Sequence, residues 1–129
     1  MQPNYPGNEL IVNSDVVAVD EILDHLSCKS VFLVADALAY ESSGAKRSLD
    51  KVLASRRHAV FSDFRPNPDL GQLLLGLRSY ATARPDVVLA VGGGTAIDLA
   101  KLIRFCAAQS ADPRDLIMSP AANPRPGVP

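Results

Sequence analysis

Three consecutive glycines, Gly92-Gly93-Gly94, follow the apolar run Val87-Val88-Leu89-Ala90-Val91 and precede Thr95-Ala96-Ile97-Asp98-Leu99-Ala100-Lys101, which has helical spacing. Glycine has no Cβ, so it tolerates positive φ and lets main-chain N–H groups come close to an anion. At the carboxyl end of a parallel strand, the next helix presents unpaired donors and a partial positive charge. A diphosphate fits such a place. The spacing is neither GxGxxG nor GxxxxGK[ST], so neither standard phosphate fingerprint applies, and an ordinary strand-to-helix turn explains the same glycines. Thr95 reads as a helix cap or as a hydroxyl donor to a phosphate oxygen. Asp98 is expected in the first turn of the helix, either favoured there by the dipole or facing the crevice as an acceptor for a ribose or carboxamide. Lys101, three residues on, lies on about the same face and can pair with Asp98.

A second constellation is Val31-Phe32-Leu33-Val34-Ala35-Asp36. An acidic residue just past a buried strand is placed to accept hydrogen bonds from the 2′ and 3′ hydroxyls of an adenosine ribose. Its charge repels a 2′-phosphate, so Asp36 favours NAD over NADP. The alternative is a plain turn aspartate. Phe64-Arg65-Pro66-Asn67-Pro68-Asp69 is a rigid connector in which Asp69 caps the following helix; its other reading lines the adenine side of a crevice. His25 is expected in a helix and His58 at a strand entry, and neither has a second ligand at metal-binding spacing. No Ser-His-Asp or Cys-His arrangement is legible. Cys28 and Cys106 form no CxxC pair and read as small buried hydrophobes, reduced in a cytosolic chain.

These residues must be held by alternating elements. Strand-like runs occur at Leu10-Ile11-Val12, Val31 to Val34, Ala59-Val60-Phe61 and Val87 to Val91. The second and last are apolar throughout, as for parallel strands covered on both faces. Helical spacing follows each: Val16, Val19, Leu23 and Leu26; Leu49, Val52 and Leu53; Leu70, Leu73, Leu74 and Leu77; then Ile97, Ala100, Ile103 and Phe105 with Cys106. The alternation predicts an α/β fold: a Rossmann-like, doubly wound, mainly parallel sheet with helices on both faces. Residues 1–8 read as an extended lead-in and residues 9–110 as the α/β domain. Residues 111–129 hold five of the ten prolines and read as a tail unable to continue a helix or a central strand.

Composition narrows the function classes. The chain has 129 residues, 47% of them apolar, and a formal net charge of −1. That suits one ordinary domain and gives no electrostatic reason to expect nucleic acid or an anionic membrane as partner. The longest apolar runs are far short of the roughly 20 residues of a membrane-spanning helix. Met1 to Gly7 has no basic start and no apolar run, so no secretory signal is visible. A soluble cytoplasmic protein is the expectation.

Taken together, the stretch from Glu9 to Ala108 resembles the N-terminal half of the iron-containing (group III) alcohol dehydrogenase family. The strand ending in Asp36, the pair Asn67-Pro68 and above all Gly92 to Lys101, similar to the family's GGGSxxDxxK signature, carry the resemblance. Thr95 stands where Ser is usual, Ala96 where Pro is frequent, and Asn13 near a usual glycine. The resemblance implies a dinucleotide-binding half: Asp36 on the adenosine ribose, Asn67 near the adenosine, Gly93, Gly94 and Thr95 on the pyrophosphate and Asp98 toward the nicotinamide end, with Gly92 and Lys101 also among the cofactor-binding residues. It implies hydride transfer between an alcohol or aldehyde and nicotinamide, assisted by a divalent metal such as Fe or Zn. The family's metal ligands come from a C-terminal helical domain, so no catalytic or metal residue is assigned in this chain. The expectation is a fragment of a longer enzyme, inactive alone. A polyol or phosphopolyol dehydrogenase, a dehydroquinate-synthase-like relative and a non-catalytic nucleotide-binding module are the alternatives. Exposed apolar surface on a truncated domain leaves a homo-oligomer open.

Overall fold

A computed structural model describes residues 17–109, 112–118 and 125–129. The run Leu10-Ile11-Val12, Val16 and the lead-in 1–8 lie outside them. Among the described residues, nine elements follow in order: α1 (Val17–His25), β1 (Ser30–Ala35), α2 (Ala37–Ser42), α3 (Ala45–Ala54), β2 (Arg57–Phe61), α4 (Leu70–Ala83), β3 (Val87–Val91), α5 (Gly94–Ala108) and α6 (Pro113–Met118). The strands form one parallel sheet in the order β2-β1-β3. Phe32 stands beside Ala59 in β2 and Val88 in β3, and Leu33 beside Val60 and Leu89.

β1 organises the core, and every one of its side chains is buried. Because side chains alternate along a strand, Val31, Leu33 and Ala35 point to one face, with Leu23, Tyr40, Leu49, Val52 and Leu53 from α1, α2 and α3. Phe32 and Val34 point to the other, with Leu73 of α4 and Leu99, Ala100, Ile103 and Cys106 of α5. Phe32 also stacks on Phe61 at 6.4 Å and meets Tyr80 edge-on at 5.6 Å. The doubly wound reading is therefore what the chain forms: β1 reaches β2 through helices on one face, and β2 reaches β3 through α4 on the other.

Three expectations need correction. β3 is not covered on both faces: Val88, Leu89 and Val91 are half-buried and Ala90 is exposed. Its strand partner is β1, on one side, whereas β1 has strands on both sides. In α5 the buried stripe is Ala96, Leu99, Ala100, Ile103 and Cys106, while Ile97 is 41% exposed. Small Ala96 hides the true phase of the helix, because the larger Ile97 dominates the apolar pattern. The third concerns the proline-rich stretch, which does contain a short helix. Pro113 is the first residue of α6, where its missing N–H has no helical partner to lose. Beyond these, α2 is an element without an apolar stripe in the sequence; its six residues are started by Asp36, whose Oδ1 accepts from the Ala39 N–H at 2.9 Å.

Two polar clasps hold the layers in register. Arg56, with a side chain only 5% exposed, reaches back to Asp20 at 2.8 Å and Asp24 at 2.6 Å, tying α1 to the α3–β2 turn. The Asp86 carboxylate accepts from the Lys29 and Ser30 N–H groups at 2.9 and 3.1 Å, fixing the start of β3 against β1. Residues 125–129 pack back onto the domain. Gln109 exchanges two hydrogen bonds with the Arg125 backbone, Arg104 donates to the Val128 carbonyl, and the Val88 N–H donates to the Pro129 carbonyl at 2.7 Å.

Cys28 and Cys106 are free and buried. They belong to clusters on opposite faces of the sheet, so no disulfide joins them. Burial pushes both thiols above their ordinary value of 9.0. A raised folded-state value means that the neutral thiol contributes stability present below about pH 9 and lost as pH climbs through the folded value. Urea midpoints measured from pH 8 upward should therefore fall, and they should fall less steeply in Cys106→Ala than in the parent.

Candidate functional site

Because the connections after β1 and β3 leave toward opposite faces, the carboxyl ends of these two strands form the topological switch point of the sheet, where sheets of this class bind ligands in a crevice. Asp36 forms one wall, directly after β1, and the turn Gly92-Gly93 forms the other, directly after β3. The two walls touch. The Asp36 N–H donates to the Val91 carbonyl at 2.9 Å, continuing the ladder that pairs Ala35 with Val91.

The glycines are exposed and lie at the carboxyl edge of the sheet, but they are not equivalent. Gly92 has φ +147°, and a Cβ there would lie 2.9 Å from the Ala96 Cβ and 3.0 Å from the Asp36 Cβ. Among the described residues, a Cβ on Gly93 or Gly94 would meet nothing within 4 Å. The first position is thus closed by packing, and the other two border open space. α5 begins at Gly94 with Gly93 as its N-cap, and among the described residues no side chain caps it. By contrast, α4 is capped by the Asp69 carboxylate, which accepts from the Gln72 N–H at 2.9 Å as the sequence predicts. The first N–H groups of a helix have no intrahelical partner. Those of α5 therefore combine free donors, the positive end of the helix dipole and an approach unobstructed by side chains. A dinucleotide's diphosphate suits this donor set.

The remaining expected residues are placed as follows. Thr95 is the second residue of α5, so it is not the cap; it lies half-buried in the first turn. Asp98 is the fifth residue and exposed, beyond the first turn, which contains no acid. The helix starts only at Gly94, leaving four residues ahead of Asp98. Lys101 is exposed too, and the two are not paired: the ion pairs of the described residues are those of Arg56 with Asp20 and Asp24 and of Arg114 with Asp112. Asn67 lies in the β2–α4 connection on the same sheet edge, with φ +53°, a left-handed conformation that asparagine adopts more readily than most residues. Next to it, Pro68 and Asp69 begin a shallow, mostly apolar groove of about 250 Å³ continued by Leu70, Leu73, Leu99 and Leu102.

The histidines stand away from this edge. His25 ends α1, and His58 near the start of β2 has its Nδ1 3.1 Å from the Arg56 carbonyl. Among the described residues no group of three or more His, Cys, Asp or Glu side chains comes together to hold a metal ion, and no helix is long and apolar enough to cross a membrane. What sequence reasoning missed is the second duty of Asp36 as the cap of α2. An Asp followed three residues later by an alanine N–H carries no capping-box signal, so only the geometry reveals it.

Comparison with known proteins agrees with this architecture. The profile of the family described as iron-containing alcohol dehydrogenase matches residues 8–129. The chain is 31% identical over 83 residues to 1-propanol dehydrogenase PduQ of Citrobacter freundii, covering 64% of this chain and 22% of that protein. It is 35% identical over 77 residues to aldehyde-alcohol dehydrogenase 2 of Entamoeba histolytica, covering 57% and 9%. The chain thus spans less than a quarter of the length of either relative. Among solved structures, sulfoacetaldehyde reductase from Bifidobacterium kashiwanohense in complex with NAD+ superposes with a TM-score of 0.77 at 21% identity, over 92% of this chain and 31% of that one. NADH-dependent butanol dehydrogenase A from Thermotoga maritima gives 0.78 at 18%, over 95% and 33%. At these identities the two structures establish the fold.

The asymmetry among the glycines is directly testable. Gly94→Ala should leave the melting temperature unchanged or raise it slightly, since helix propensity improves and nothing obstructs the methyl. Gly92→Ala should lower stability by about 1–3 kcal/mol, the range for a side chain held in a disfavoured backbone conformation. Thermal melts of the two variants beside the parent decide it; equal melts would mean that Gly92 is not closed by packing.

Proposed function

The chain belongs to the iron-containing alcohol dehydrogenase family, and from that premise we propose that it is the NAD-binding portion of an alcohol dehydrogenase, acting on an alcohol/aldehyde pair. The observation that carries this reading is the uncapped start of α5, open above Gly93 and Gly94, standing beside the Asp36 carboxylate at the switch point. When bound, the nicotinamide dinucleotide supplies the hydride acceptor or donor. The chain's own part is to bind and orient it.

In this reading the N–H groups at the start of α5 and the Thr95 hydroxyl hold the diphosphate, and the helix dipole favours its charge. Asp36 takes the adenosine ribose. Its Oδ1 is occupied by the Ala39 N–H, which fixes the carboxylate's orientation, while Oδ2 has no hydrogen bond among the described residues and is available to a ribose hydroxyl. The same negative charge opposes a 2′-phosphate, which makes NAD the preferred cofactor over NADP. Asn67 stands toward the adenosine, and Asp98 and Lys101 on the exposed face of α5 toward the nicotinamide end. The division into a dinucleotide-binding domain over 9–110 and a tail over 111–129 is part of the same reading. A divalent metal such as iron or zinc enters it only with ligands outside the described residues, and no step of this chain runs through it. Cytoplasmic location follows the same proposal.

NADH fluorescence titrations of the chain, Gly94→Val and Asp36→Ala test the reading. Gly94→Val should keep its fold, because the valine projects into open space, yet lose NADH binding by filling the diphosphate's place. Asp36→Ala should weaken NADH by about tenfold to a hundredfold, as for loss of a hydrogen bond to a charged group, and improve NADPH relative to it. Equal NADH affinity in all three proteins would sink the proposal and leave Gly92 to Gly94 as a turn.

A further inference from the structure

The packing at the end of β3 assigns a distinct task to the first of the three glycines. We infer that Gly92 is a positioning residue that acts through Asp36: by lacking a Cβ it lets the Asp36 side chain sit against the end of β3, and so sets the preference for a free ribose over a 2′-phosphorylated one. The inference rests on the proposed dinucleotide site.

Three observations converge on it. Asp36 and Gly92 are lateral neighbours, since each directly follows a residue of the Ala35–Val91 pair, and the Asp36 N–H is bonded to the Val91 carbonyl at 2.9 Å. The Asp36 side chain leaves its strand toward β3, because its Cβ lies 3.0 Å from where a Gly92 Cβ would be. Non-bonded carbons prefer separations of about 3.5–4.0 Å, so any substituent at 92 must push the Asp36 Cβ away. Backbone relief is blocked on the remaining side by the Ala96 Cβ at 2.9 Å, on a residue buried in the core. The displaced group is not free to compensate, as its Oδ1 is already committed to the α2 N-terminus at 2.9 Å. A substituent at Gly92 therefore moves the carboxylate or costs α2 its cap. Gly93 and Gly94 have no such neighbour, and this separates a glycine required by another residue from glycines bordering open space.

The test compares affinities for NADH and NADPH in the parent chain, Asp36→Ala, Ala96→Gly and Gly92→Ala/Ala96→Gly, with inorganic pyrophosphate as a probe of the diphosphate place alone. Ala96→Gly removes one of the two close approaches, so the double variant keeps the contact with Asp36 together with the backbone cost of an alanine at φ +147°, and Ala96→Gly alone sets its reference ratio. The expected result is a fall of at least fivefold in the NADH-over-NADPH preference of the double variant, with pyrophosphate affinity changed less than twofold. An unchanged preference, or equal losses for NADH, NADPH and pyrophosphate, overturns the inference. So does failure of both Gly92→Ala and the double variant to fold, which would make Gly92 a folding residue only. If Asp36→Ala shifts the preference and the double variant does not, this inference fails while the dinucleotide reading stands. A parent chain that binds neither cofactor removes both.

Discussion

Burial of β1 on both faces and along both edges is the constraint from which the rest follows. A strand in that position must be apolar at every residue and must have its backbone groups taken up by neighbours on each side. Val31 to Ala35 meets the first demand, the buried Ser30 hydroxyl is taken up by the Ala83 carbonyl, and pairing with β2 and β3 meets the second. The helices then have to cover opposite faces, because Val31, Leu33 and Ala35 require one apolar layer and Phe32 and Val34 another. Once the connections leave in opposite directions, the carboxyl ends of β1 and β3 cannot be closed over by their own loops. The crevice is a by-product of covering one strand twice.

What lines that crevice is set by how each helix start is satisfied. α2 and α4 have aspartates that take up a free N–H within their own chain, whereas α5 has glycine and no side-chain cap. Unsatisfied donors at a helix start are ordinarily answered by a side chain, water or a ligand. Here they face outward, beside a carboxylate whose one oxygen is held and whose other is available. Asp36 thus links fold and site: it starts α2, it abuts Gly92, and it is the anionic group nearest the ribose position in the proposed reading.

Much of this was legible from residue order. The runs at 31–34, 59–61 and 87–91 marked the strands, since three to five consecutive β-branched or apolar residues flanked by turn formers have few other uses. The glycine triplet and Asp36 marked the sheet edge. The phase of α5 was misleading because Ala96, not Ile97, enters the core; a small side chain contributes little to a periodicity count yet packs where space is tight. Arg56 was unreadable for a different reason. Its carboxylate partners Asp20 and Asp24 are 36 and 32 residues away, and nothing local signals a cation that will be nearly buried between two helices.

Residue order alone determined the alternation of strand and helix, the parallel class of the sheet and the chemical kinds present at its edge, because these depend on local periodicity and on glycine's backbone freedom. Tertiary structure decided which strand is central, which glycine is closed by packing and which two are open, and which carboxylate oxygen is already engaged. Those outcomes depend on side chains far apart in the chain meeting at distances of a few ångströms, and no local pattern encodes such meetings.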